Sequence, residues 1–320
     1  MRQIDLHLPT GWNQCTIDEM EHIASAIIAE QQSVGRYHPF DWDRVKLNIV
    51  LAVNSLSPVP SPKGEGGNDK EWLVKRPEDK ESWPISTGQL VALTECLAWL
   101  TDEKTRPLFN FPYPELTFKQ EDGKWQVIEK QENGSKFFTP HSSLFTLSGP
   151  PPLLDGYTWQ EYRWMTDWMQ AYMRHSNAKN AEGAAQAQRE FLAILFKPKT
   201  LDGKTAEHTS SISHLTSAIF TDFSPVKRQV ILFWWSSLMS MLAKKFPKVF
   251  KSQPVGQGKR RPQQQDTPWD FYNRVTATIQ KYIGGLSEQD VNNATYGTIL
   301  QQLEMMADEV AEMEKIKRKR

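Results

Sequence analysis

Gly203-Lys204-Thr205 ends the way a phosphate-binding loop ends, with a lysine placed to reach phosphate oxygens and a hydroxyl placed for a magnesium ion. Such a loop also needs a glycine five residues before its Gly-Lys pair, and that position is Pro198. The segment ahead of it has helical rather than strand periodicity, so the triplet reads as a turn. Lys63-Gly-Glu-Gly-Gly67 lacks a strand before it and a helix after it and reads as linker. The seven histidines include no i, i+4 pair and no His-Glu-x-x-His run, the spacings that bring two imidazoles to one metal. His208 and His214 fall across a loop-to-helix junction, where chance accounts for their spacing. No Gly-x-Ser-x-Gly elbow occurs, and Cys15 and Cys96 have no motif around them. The carboxylate pairs Asp18-Glu19 and Asp41/Asp43 sit at expected helix starts, where the helix dipole favours negative charge. These residues lead us to expect no catalytic set, no cofactor and no metal site.

The elements that would position any site are mostly helical. Thr16-Ile-Asp-Glu19 is a capping box, and Met20, Ile23, Ala24, Ile27 and Ile28 follow as one apolar stripe. A second helix is expected over Asp43 to Asn54, and a third from the box Ser86-Thr-Gly-Gln89 through Leu100. Residues 57–69, rich in proline and glycine, read as a loop. Residues 107–150 change character: Leu116-Thr-Phe118 and Trp125-Gln-Val127 alternate on either side of Asp122-Gly123, which predicts a β-hairpin. Phe137-Phe138 and Leu144–Leu147 are candidates for further short strands. Helical signals return with the box Thr158-Trp-Gln-Glu161, an Ala-rich stretch near 178–196, and Ser224-Pro225 leading into the apolar run Val230–Leu242. That run contains Ser236, Ser237 and Ser240 and falls short of the roughly 20 residues a membrane span needs. A buried bundle helix is the expectation.

The last hundred residues carry the sharpest signal. A basic, Gln-rich linker over 251–266 leads to a helix with Phe271, Val275 and Ile279, closed by Gly284-Gly285. From Ser287 onward one further helix is expected. Tyr296, Ile299, Leu303, Met306, Val310 and Met313 recur at alternating three- and four-residue steps, the spacing of a coiled-coil seam. These six are the candidate partner-binding residues. The bland alternative is an amphipathic helix packed on its own domain. Trp164 and Trp168, if exposed, would form a second contact surface of paired aromatics. Lys259, Arg260 and Arg261, with Lys317, Arg318, Lys319 and Arg320 in the tail, are candidate phosphate contacts.

Bulk composition sets the frame for these signals. Lysine plus arginine and aspartate plus glutamate balance at 38 each, so no net field draws the chain to nucleic acid or a membrane. Hydrophobic content of 39% with 12 Trp supplies enough apolar surface for folded cores. Two cysteines give no disulfide framework and fit a reducing compartment. The expected fold is mainly α: a multi-helical bundle with a small β-hairpin insertion and a C-terminal helical pair. Its expected segments are 1–106, 107–150, 151–250, 251–266 and 267–320.

Leu8-Pro-Thr-Gly-Trp-Asn-Gln-Cys-Thr16, Tyr157-Thr-Trp-Gln-Glu-Tyr162, Phe223-Ser-Pro with Leu232-Phe-Trp-Trp235, and the Tyr272–Tyr282 helix with Gln301-Gln-Leu-Glu-Met together resemble a group of uncharacterised phage and prophage proteins. The resemblance covers the N-terminal segment and most of 157–315. It implies a role in a tail module, as a tail assembly chaperone or adaptor, and it transfers no functional residue. The leading expectation is therefore a non-enzymatic interaction protein in the cytoplasm of a bacterial host or associated with the virion. Its partner would be another phage structural protein or a second copy. The alternatives are a nucleic-acid-associated protein and an enzyme with a distributed site.

Overall fold

A computed structural model describes residues 6–34, 39–59, 71–75, 83–102, 112–121, 124–128, 144–199, 217–250 and 268–319. The fold is mainly α with two small antiparallel sheets. It divides into two units, one of Met1–Phe109 with Ser224–Met241, the other of Asn110–Phe223 with Leu242–Arg320.

In the first unit, helix α1 (Ile17–Ser33) starts at a complete capping box. The Glu19 N–H donates to Thr16 Oγ1 at 3.2 Å, and the Thr16 N–H donates to Glu19 Oε2 at 2.7 Å. Two orphan donors are satisfied this way, which fixes where the helix begins. Its stripe of Met20, Ile23 and Ala24 is buried, as are Val45, Ile49 and Val50 of α2 (Trp42–Val53), and the two helices pack together. Asp41 caps α2 by accepting the Asp43 N–H at 2.9 Å. Glu30, buried on α1, accepts the Asp41 N–H at 3.0 Å and so ties the end of α1 to that cap. The Asn54 amide pairs with the backbone of His7, accepting its N–H at 2.7 Å and donating to its carbonyl at 3.0 Å.

A three-stranded sheet follows, β1 (Ser57–Val59), β2 (Glu71–Lys75) and β3 (Trp83–Ser86), with Pro58 opposite Val74 and Trp72 opposite Ile85. Helix α3 (Thr87–Glu95) leaves β3 through the Ser86/Gln89 capping box. Leu56, Val74, Ile85 and Leu90 form the cluster beneath. The Trp12 ring meets Trp99 at 5.2 Å and Phe233 at 5.1 Å, joining the N-terminal segment to the 3-10 turn Ala98–Leu100 and to helix α6 (Pro225–Lys245). Val230, Ile231, Trp234, Trp235 and Leu238 of α6 are buried.

The second unit holds the hairpin of β4 (Leu116–Glu121) and β5 (Lys124–Ile128), with β6 (Leu144–Ser148) and the two-residue β7 (Lys197–Pro198) extending it in the order β5-β4-β6-β7. Phe118 of β4 is buried against Phe220 at 5.7 Å, and Phe196 joins the same cluster. Gly149 is required beside it, because a Cβ there would sit 2.0 Å from the Tyr113 carbonyl oxygen. Helices α4 (Trp159–Asn177) and α5 (Ala181–Leu195) form a hairpin; Trp159, Tyr162 and Met165 face the core from one side, Phe191 and Leu195 from the other. The chain then continues through α7 (Pro268–Ile283), α8 (Glu288–Asn293) and α9 (Tyr296–Lys319). Gly284, at φ +75°, takes the left-handed conformation that ends α7.

Several expectations change against this structure. Residues 57–59 are a strand, not loop, while 60–70 lie outside the described residues. Both outer strands of that sheet carry proline (Pro58, Pro84), which edge strands tolerate because their outward N–H pairs with nothing. The third helix ends at Glu95 rather than Leu100. The helix expected to run on from Ser287 is two: Ala294 is extended (ψ 150°) and Thr295 forms an antiparallel bridge with Thr158. The expected hairpin and the Leu144 strand are present, whereas Phe137-Phe138 and the 251–266 linker lie outside the described residues.

Candidate interaction surface on the last helix

The entry into α9 is fixed by that bridge. The Trp159 N–H donates to the Ala294 carbonyl at 2.7 Å and the Tyr296 N–H to the Tyr157 carbonyl at 3.0 Å. Each is a first-turn N–H with no intrahelical acceptor, so α4 and α9 satisfy one another's starts. The Tyr296 ring stacks on Tyr162 at 5.1 Å, and its hydroxyl donates to the Leu153 carbonyl. Burial, with the nearby Asp155 carboxylate, pushes the Tyr296 phenol well up. Arg163 of α4 donates to Asn292 of α8 and Asn273 of α7, each at 3.1 Å, so one buried guanidinium holds three helices in register.

Farther along, Glu304 accepts the backbone N–H groups of Lys248 and Val249 at 3.0 and 3.2 Å. Lys248 Nζ pairs with Asp308, and the Tyr282 hydroxyl donates to Glu309 at 2.7 Å. That hydrogen bond to a carboxylate raises the Tyr282 phenol above its ordinary range. Glu304 and Glu309 are the anchors that a reading of apolar spacing missed; in sequence they belong to an acidic flank that looks uniformly solvated.

The expected seam therefore splits along its length. Tyr296 and Ile299 are 4% and 3% exposed and belong to the core of the second unit, while Leu303 and Met306 are half-buried. Val310, Met313 and Ile316 are 56%, 57% and 52% exposed. Asp308 to Met313 are all exposed, and at about 100° per residue six successive positions cover every side of a helix. Val310, Met313 and Ile316, three apart, lie along one side of it.

The other candidate residues fall elsewhere. Lys259, Arg260, Arg261 and Arg320 lie outside the described residues; Lys317, Arg318 and Lys319 are in the last turn of α9 by backbone. Trp164 is exposed and Trp168 half-buried on α4. Pro39, Phe40, Asp41, Trp42 and Asp43 line an open depression of about 320 Å³, but its central carboxylate, Asp41, is engaged as the cap of α2. Among the described residues no group of three or more His, Cys, Asp or Glu is placed to hold a metal ion, and no helix is long and apolar enough to cross a membrane. Comparison with known protein families, curated proteins and solved structures gives no match to this chain.

Proposed function

We propose that this chain is a non-enzymatic interaction protein that presents the distal half of α9 to a protein partner. Its setting would be the assembly of a phage or prophage tail in the bacterial cytoplasm. The observation that supports this is the exposed stripe Val310, Met313, Ile316 on a helix whose other half is locked into a core. Short helices are marginal in water on their own, and among the described contacts this half is tied to the chain's own body only through Asp308 and Glu309. A partner that covers the stripe stabilises it, and methionine adapts readily to a partner's shape. The likeness of four segments to phage tail-module proteins suggests the kind of assembly.

A photo-crosslinking residue at 313, in cells that produce the chain together with the genes flanking its own, tests this directly. The expected result is a discrete adduct absent when the same residue replaces Val91, which is equally exposed on α3. Identical adducts from 313 and 91, or none from 313, would dispose of the idea.

A further inference from the structure

We infer that the stripe on α9 takes a second copy of the same chain, laid antiparallel across Met313. This deepens the interaction reading above and rests on it. The order of charges along the helix points to this occupant. Residues 301–314 contain five carboxylates and no basic side chain; residues 315–320 contain five cations and no acidic one. A helix charged in two opposite blocks is complementary to itself in only one sense. Antiparallel, the carboxylates on the N-terminal side of the stripe, at 308 and 309, run beside the basic block of the other copy. Parallel and in register, acid faces acid and base faces base. The two helix dipoles also oppose each other in the antiparallel pair. A two-fold axis closes such a pair with identical surfaces on both sides, leaving no open end.

The apolar stripe sets the register. With the axis at Met313, the two Met313 side chains meet, and Val310 of each copy faces Ile316 of the other. Position 309 then stands opposite 317, an acidic against a basic residue, at both ends of the contact, and 312 stands opposite 314 beside the axis. The apolar contact runs from Val310 to Ile316 and begins just past the ties to the chain's own body, at Glu304, Asp308 and Glu309. Dimerisation thus demands nothing of the folded core. So short a contact gives a weak dimer, and opposed charges at its ends make it sensitive to salt.

Cysteine pairing in the full-length chain, in a Cys96→Ser background, reads the orientation. Under mild oxidation a mixture of Glu309→Cys and Lys317→Cys proteins, one carrying a size tag, is expected to give mixed dimers several-fold in excess of either protein's dimer with itself. Sedimentation equilibrium of the unmodified chain is expected to show mass rising with concentration, falling as salt is raised, and monomeric throughout for Met313→Asp with its melting midpoint unchanged. Self-pairing of Glu309→Cys at the level of the mixture, a salt-independent dimer, or a monomer at every concentration would each overturn the antiparallel copy. In that last case a 313 adduct to a different protein in cells would still uphold the interaction reading. Loss of both would end the two together.

Discussion

Lys197 Nζ stands 2.7 Å from Glu161 Oε1 and 4.0 Å from the centre of the Tyr157 ring, with both charged side chains largely withdrawn from water. The contact joins the two-residue strand β7 to the first turn of α4. Glu161 also accepts the Thr158 N–H at 2.8 Å through its other oxygen, so one carboxylate caps the helix and neutralises the lysine. Removing one member of such a pair strands the other charge. We expect Lys197→Met to cost about 3 kcal/mol in urea unfolding. The double change Glu161→Gln, Lys197→Met should recover part of that loss, since a glutamine oxygen can still cap. Strict additivity of the two single changes would show that the groups are not coupled.

The two halves of α9 should respond in opposite ways. Ile299→Ala opens a cavity in a packed core and should cost about 3 kcal/mol. Val310→Asp and Met313→Asp place charge where water already reaches, and each should stay within about 0.5 kcal/mol of the parent chain. Chemical denaturation of the three variants decides this. A large loss from Met313→Asp would mean that the distal turns are covered by the chain itself.

How far the sequence foretells this arrangement depends on what each signal depends on. Capping boxes at Thr16, Ser86 and Thr158 are local, and all three are formed; Ser287, read only as a helix start, forms a further one with Asp290. The hairpin around β4 and β5 is equally local. The sheet of β1, β2 and β3 escaped notice because its outer strands are three and four residues long and contain proline, so neither shows alternation. The seam on α9 is a true periodicity, yet spacing is blind to which turns a neighbour covers. That is set by Tyr162 and Leu153 at one end and by Lys248 and Val249 in the middle, all distant in sequence. The break at Ala294 likewise depends on pairing with Thr158, which no local pattern encodes.

Two of the buried phenols, Tyr157 and Tyr296, give the protein an alkaline limit. Burial raises Tyr157 well above the ordinary tyrosine range, with the Glu161 carboxylate adding to it, and Tyr296 is raised for the same first cause. The folded state holds both protons more tightly than the unfolded chain, which releases them near pH 10. Their contribution is therefore complete below about pH 10 and is lost as pH climbs from there toward the raised folded values. Stability measured by urea unfolding should fall across that alkaline window. In the parent chain, tyrosinate absorbance should show a class of phenols, Tyr157 and Tyr296 among them, that ionises only as the fold opens. Tyr157→Phe, which gives up the hydrogen bond to the Leu195 carbonyl, should flatten the alkaline decline while lowering stability at neutral pH. Free titration of every tyrosine in the folded protein would contradict this.

The two cysteines should separate by reactivity. Cys96 is exposed at the end of α3, whereas Cys15 is buried, and burial with the neighbouring Glu19 carboxylate pushes its thiol up to about 12. A thiol reagent attacks the thiolate, so at neutral pH Cys15 offers little reactive form and no access. In the folded protein we expect rapid labelling of Cys96 alone, followed by a slow phase at Cys15 whose rate follows opening of the segment around Trp12. Adding urea below the unfolding transition should speed the second phase and leave the first unchanged. Trp12→Ala, which removes the ring contacts with Trp99 and Phe233, should speed it further. If Cys15 labels as fast as Cys96 in the native chain, the N-terminal segment is not held in the core of the first unit.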